Sequence, residues 1–252
     1  MTRRVLPYSG GLVSSLCLAL HTDESTTGLV SIDMNGRLRR TGPTGAVNSH
    51  QSRSFPAWRV LDGQLIFLDV FNDRYFRLSD EDNRMCLEQL ERSPEKVWRQ
   101  PADFPRPADW IAPKLTSPAI HQKTFRLAGV ARALWTQRRV EARLSKHSLP
   151  LVLSQLRGVV ERKSSGDAEI SEEGLNCIGA FEQARLLRTA ADRCLSRSIA
   201  LAACLAAHGD RTRIVLGVHS PPFAAHCWVQ HGDTVLNDSV EEVLRYQPIL
   251  VV

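Results

Sequence analysis

"HCWVQHGDTVLND", residues 226–238, reads as a strand, a tight turn and a second strand. Its apolar ladder of Cys227, Trp228, Val229, Val235 and Leu236 is bounded by His226 at one end and Asp238 at the other. If His231-Gly232-Asp233 forms a three-residue loop, Gln230 faces Thr234. Pairing outward from there sets His226 opposite Asp238, with Trp228 and Leu236 on one face. Directly opposed residues have Cβ atoms about 4.5–5.5 Å apart. That is close enough for a carboxylate to hold an imidazole N–H and fix its tautomer. A two-residue loop would shift the pair to a diagonal. A base with an orienting acid implies a third group for the base to serve.

That group is sought upstream, in "DRCLSRSIALAACLAAHG", residues 192–209. Asp192 is a suitable N-cap, the Ala/Leu/Ile body favours helix, and Gly209 follows as a stop. Cys194 then falls in the first turn, where the helix dipole and unpaired N–H groups favour thiolate over thiol. Cys204 falls in the apolar body, the place of a small buried thiol. "RTRIVLGVH" (211–219) continues as a strand and "SPPFAA" (220–225) as a turn into the opening hairpin. The order Cys, His, Asp is the papain-type order: a thiolate attacks, a base accepts its proton, and an anion holds the base. Spacing alone leaves the plainer reading open, in which His226 is a satisfied core histidine and Asp238 a turn former.

Composition narrows the field. The chain has 252 residues, 43% hydrophobic and 23% charged, with a net charge of +5. No apolar run approaches the roughly 18 residues of a membrane span. "SGGLVSSLCLALH" (9–21) is short and interrupted for a signal segment. The mild basic balance does not demand nucleic acid, and none is expected as a partner. The six cysteines are scattered without a C-x-x-C pair, so neither a metal site nor a disulfide framework is expected. Reduced thiols in the cytoplasm, with no bound cofactor, is the expectation.

Residues 1–54 read as a poorly ordered lead, with "GLVSIDMNGRLRR" (28–40) a small hairpin around Asn35-Gly36. Residues 55–115 form a first unit. "WRVLDGQLIFLDVFNDRYFRLSD" (58–80) gives three strands broken at Asp62-Gly63 and Asn72-Asp73. A helix follows, capped by Ser79 or Asp80, with Met85, Leu87 and Leu90 as its apolar stripe. "SPEKVWRQ" (93–100) starts another short helix, and the proline-rich stretch 101–118 reads as a linker. Residues 116–252 form the second unit. Its helices lie in 121–147, 150–163 and 175–191 and precede the cysteine helix. Residues 121–147 carry many Lys and Arg against the single acid Glu141, a solvated face or a surface for an acidic partner. The element order gives the fold class α+β: a small β-β-β-α-α unit, then a larger domain of helices and strands.

"CLSRSIALAACLAAHG" (194–209), "IVLGVHSPPFAAHCWVQHGDTVLND" (214–238) and the closing "PILVV" (248–252) together resemble the lasso-peptide biosynthesis B proteins. These are leader peptidases with a transglutaminase-like fold. The resemblance implies Cys194 as nucleophile, His226 as base and Asp238 as orienting acid. Cys227 stands where that family usually has a small residue. The Cys194 main-chain N–H is the expected oxyanion donor. The unit at 55–115 resembles the recognition element of ribosomally made peptides. There a leader adds along the third strand, which here is Arg74, Tyr75, Phe76, Arg77 and Leu78. The two resemblances together imply a small winged-helix-like unit followed by a papain/transglutaminase-like cysteine peptidase domain. The implied partners are a lasso precursor peptide and an asparagine-synthetase-like cyclase, with ATP dependence residing in the cyclase. Two rivals remain: a transglutaminase-like acyltransferase using the same residues, and a non-enzymatic winged-helix binding module.

Overall fold

The computed structural model describes residues 6–7, 30–32, 38–40, 57–70, 74–78, 80–92, 110–121, 126–163, 169–188 and 193–252. The chain divides into two compact units, one drawn from 5–69 and 75–100, the other chiefly from 101–252. Most of the expected lead, the expected helix at 93–100, and Asp192 lie outside the described residues.

The first unit contains strands β1 (Leu6–Pro7), β2 (Val30–Ile32), β3 (Leu38–Arg40), β4 (Ala57–Leu61), β5 (Gln64–Asp69) and β6 (Arg74–Arg77), then helix α1 (Asp80–Arg92). Asp62 and Gly63, with φ of 46° and 75°, make the two-residue turn between β4 and β5. Positive φ at both central residues matches the right-handed twist of the flanking strands. Asn83 of α1 accepts the Leu65 N–H at 2.8 Å and donates to the Gly63 carbonyl at 2.7 Å, fastening helix to turn. Leu65, Phe67, Leu78 and Cys86 form the core, flanked by Trp58, Leu87 and Leu90. β2 and β3 pair antiparallel, as the sequence around Asn35-Gly36 suggests. The sheet order is β1-β6-β5-β4, and β1 pairs parallel with β6, Leu6 beside Phe76 and Pro7 beside Arg77. The strand edge expected to receive a leader is therefore lined by the chain's own Leu6–Pro7. Of the five residues expected there, Arg77 is exposed, Tyr75 half-buried and Leu78 part of the core.

The second unit begins with β7 (Leu115–Thr116), within the stretch expected to be linker. Lys114 and Leu115 donate to the Asp233 carbonyl and Ser117 to that of Val235, which recruits this segment as a strand despite its prolines. A short 3-10 turn and helices α2 (Leu127–Leu144), α3 (Leu149–Lys163), α4 (Glu172–Leu187) and α5 (Cys194–Ala207) follow. Then come β8 (Arg213–His219), β9 (Ala224–His231), β10 (Thr234–Val235), α6 (Val240–Val243) and β11 (Gln247–Val251). The sheet runs β11-β8-β9-β10-β7, antiparallel except for β10 with β7. α5 is the central helix. Its residues 196–202, Leu205 and Ala206 are buried, and it packs on α2, α3, α4 and β9. A helix apolar on nearly all sides needs such a surround.

Two expectations need correction. Cys177 and Cys204 are joined by a disulfide that ties α4 to α5, where two thiols were expected. Scattered spacing cannot reveal that two packed helices bring their cysteines together. The hairpin also turns tighter than the three-residue loop. Thr234 pairs with His231 and Val235 with Gln230, so the turn is Gly232-Asp233, with Gly232 at φ 54°. A one-residue slip flips every side chain to the other face. Accordingly Val235, not Leu236, joins Trp228 in a core with Val215, Val243 and Val251.

Gly217 lies beside His226 in the β8–β9 ladder. A Cβ there would sit 2.7 Å from Trp228 Cζ3 and 2.9 Å from Tyr246 Cβ. Trp228 is fully buried and cannot yield, so Gly217→Ala is expected to cost roughly 1–3 kcal/mol, the usual range for an overpacked core. Urea denaturation of the variant beside the wild type measures it.

Candidate active site

The site forms where β10 stops. β10 ends at Val235, leaving the β9 edge away from β8 without a strand neighbour beyond that point, and unpaired main-chain groups are costly unless satisfied. The side chains of Asn237, Ser198 and Cys194 and one main-chain N–H take them. Asn237 Oδ1 accepts the Val229 N–H at 2.8 Å, while the Val229 carbonyl keeps the Leu236 N–H at 2.9 Å. Ser198 of α5 donates to the Cys227 carbonyl at 2.9 Å. The Cys227 N–H points at the sulfur of Cys194.

Cys194 is the first residue of α5. Arg193 occupies the cap position without a side-chain hydrogen bond, and the first turn carries no acid. The Asp192 cap proposed from the sequence falls outside the described residues. An uncapped helix start leaves N–H groups and positive dipole for a nearby anion. The Leu195 N–H accordingly reaches the Cys194 sulfur.

His226, on β9, and Asp238, in the bend after β10, meet at 2.9 Å between Nε2 and Oδ2. Asp238 Oδ1 accepts the Ser239 N–H at 2.8 Å, which fixes the carboxylate plane. The imidazole also hydrogen-bonds the Cys194 thiol, and with Nε2 engaged by Asp238 its Nδ1 is the nitrogen left for that bond. The contact expected from the sequence is present, although the ladder argument that suggested it is not its cause. The chain leaves the ladder after Val235, and the bend, not cross-strand pairing, delivers Asp238.

The electrostatics follow from this contact. Burial pulls the His226 imidazole down, but hydrogen bonds to Asp238 and Cys194, and their charges, outweigh it and raise its pKa to about 9. Burial pushes the Cys194 thiol up, and the His226 hydrogen bond and charge, with the Cys227 and Leu195 N–H groups, bring it below its ordinary value. Asp238 is likewise held below the usual carboxylate range: burial opposes ionisation, but His226 and the Ser239 N–H prevail. The two shifts together describe a thiolate–imidazolium pair. A thiolate beside an imidazolium is the form in which a thiol can act as a nucleophile with a proton donor at hand.

Tyr246 stands with its ring centroid 5.2 Å from that of His226, and Trp228 lies 6.2 Å away on the same strand, so the imidazole is held between aromatic neighbours. The Tyr246 hydroxyl donates to Glu242 at 3.3 Å. Tyr246, Asn237, Ser198 and Arg197 were not singled out from the sequence. Only Arg197 left a signal there, as a lone charge in an apolar helix. Among the described residues no group of three His, Cys, Asp or Glu is placed to hold a metal, and no helix is long and apolar enough to cross a membrane.

The raised His226 value fixes the sign of its pH effect. Stability from the charged imidazole is complete below the unfolded value of about 6.5 and is lost as pH rises through about 9. Iodoacetamide should therefore alkylate Cys194 at pH values where an ordinary thiol is unreactive. His226→Ala should return the reactivity profile to an ordinary midpoint of about 8.5. Mass-resolved alkylation rates across pH 5–10 (about one reading per half unit) would test this, since the lowered thiol and raised imidazole depend on each other.

Residues 127–251 match the family described as Transglutaminase-like superfamily, and this part of the chain is similar to that family. The match opens at the first residue of α2 and closes at the last of β11, and contains Cys194, His226 and Asp238. No curated protein and no solved structure matches the chain.

Proposed function

We propose that the chain is a cytoplasmic cysteine peptidase that binds the leader of a ribosomally made lasso precursor and cleaves it from the core before macrocyclisation. The observation that carries the peptidase part is the contact of Cys194, His226 and Asp238 within a transglutaminase-like domain. The lasso part rests on the sequence resemblance at 194–209 and 214–238.

In this reading the Cys194 thiolate attacks the carbonyl of the leader's last residue. The Cys194 main-chain N–H, at the first helical position, steadies the oxyanion. Imidazolium His226 gives its proton to the departing amine, which is the new N-terminus of the core. Neutral His226 then activates water against the thioester, and the leader leaves as an acid. Asp238 keeps Nε2 occupied, so that Nδ1 faces the reacting atoms. The freed amine is what an asparagine-synthetase-like cyclase would need, and ATP is consumed there. The transglutaminase-like alternative differs only in the second step, where an amine replaces water.

The recognition unit enters at β6, where a leader strand would take the edge that Leu6–Pro7 line, with main-chain hydrogen bonds for affinity and side-chain pockets for choice. Removing residues 1–54 should then leave leader affinity unchanged or tighter, as read by titration of a labelled leader peptide. Loss of binding would place recognition in the removed segment.

Incubation of the precursor with the protein, the cyclase and ATP, followed by mass spectrometry, tests the reaction. Free leader acid is the expected product, and an amine adduct would point to the acyltransferase. Cys194→Ala should abolish release while keeping leader binding. Asp238→Asn should slow it on the order of 10- to 1,000-fold, less than in a serine triad because a thiol ionises more readily. His226→Ala should cost more, and Asp233→Asn, in the turn, almost nothing. Release should decline as pH rises through about 9, where the imidazolium loses the proton the leaving amine needs.

A further inference from the structure

Along α5 one residue departs from the Ala/Leu/Ile pattern without reaching solvent. Arg197 is only 7% exposed, and a guanidinium so buried is costly unless its partners repay it. Its Nη2 donates to Glu182 Oε2 of α4 at 2.9 Å and to the Asn237 carbonyl at 2.8 Å. Its Nε is buried with no hydrogen-bond partner among the described residues, so the side chain is not placed here to satisfy itself.

The Asn237 carbonyl belongs to the peptide that leads into Asp238. The Asn237 side chain is fixed as well, through Val229 and through Ser198 Oγ at 2.9 Å. Arg197 and Ser198 lie three and four residues after Cys194, so one helix face carries the nucleophile and both groups that hold the acid's neighbour. Helix and bend are thereby set in one frame.

We propose that Arg197, braced by Glu182, is the positioning residue of the site: by holding the Asn237 carbonyl it sets the Asp238 carboxylate against His226 Nε2. It touches none of the reacting atoms and acts through Asp238. Its positive charge also acts on Asp238 and Cys194, favouring the anionic form of each. The proposal rests on the catalytic reading of Cys194, His226 and Asp238, so its test must separate the two.

The readout is the pH profile of Cys194 alkylation by iodoacetamide, which needs no knowledge of the substrate. In Arg197→Met the midpoint should move up toward that of an ordinary thiol, about 8.5. Arg197→Lys, which keeps charge and donors on a shorter reach, should restore part of the shift. If Arg197→Met folds poorly because the half-buried Glu182 keeps only Arg185 as a partner, Arg197→Met with Glu182→Gln removes both charges and answers the same question. The decisive comparison is on the Asp238→Asn background. There Arg197→Met should add only the small part of its shift that its charge exerts directly on Cys194, since its route through Asp238 has been cut. A folded Arg197 variant with an unchanged profile, or a shift that adds in full to that of Asp238→Asn, would overturn the positioning role. A wild-type profile indifferent to His226→Ala would instead overturn the catalytic reading itself.

Discussion

The second unit depends on where one strand ends. Had β10 continued along β9, Cys227 and Val229 would have spent their main-chain groups on a routine ladder, and α5 would have had nothing to bond there. Because β10 stops at Val235, those groups are satisfied by Ser198, by Asn237 and by the Cys194 sulfur. The same shortfall that exposes the edge thus draws the helix start to it, and the thiol arrives already in a ring of donors. No strained backbone is needed for this, only the rule that buried main-chain groups find partners.

The arrangement also explains why α5 can be apolar over its body and yet polar at its start. Leu201, Leu205 and Ala202 bury against the surrounding helices, while Ser196, Arg197 and Ser198 are buried and hydrogen-bonded within one turn of Cys194. α4 is bound to α5 twice, by the Cys177–Cys204 disulfide in the body and by Glu182 with Arg197 near the start. Both links fall on the helix whose first residue is Cys194. Small rotations of α5, which would carry Cys194 off the imidazole, meet resistance at both ends.

Cys194, His226 and Asp238 were legible in the sequence because each has a local signature: a thiol at a helix start, a histidine opening a strand, an acid closing a hairpin. The turn register was not, since His231-Gly232-Asp233 fits a two- or a three-residue loop, and β7's main-chain bonds to Asp233 and Val235 depend on a segment more than a hundred residues away. The Cys177–Cys204 bond was hidden for the same reason. α4 and α5 must pack before their spacing has meaning. The β4–β5 hairpin was legible to the residue, because Asp-Gly with positive φ has few alternatives. What local chemistry dictates was readable, and what long-range packing dictates was not.

The pair Asn237-Asp238 shows how narrow the chemical choice becomes once the frame is set. Position 237 must accept the Val229 N–H and donate to the Ser198 hydroxyl, which itself donates onward to Cys227. An amide offers both an acceptor and a donor on one small planar group. A carboxylate there would lose the donor, set an acceptor oxygen against the Ser198 hydroxyl oxygen, and place a second negative charge beside the first. Position 238 faces the opposite demand. It must accept from His226 and from the Ser239 N–H at once and donate to neither, which a carboxylate does and an amide does with only one of its two atoms. The order amide then acid is therefore fixed by which neighbour already holds a proton, and exchanging the two residues would keep the composition while unmaking both ends of the network.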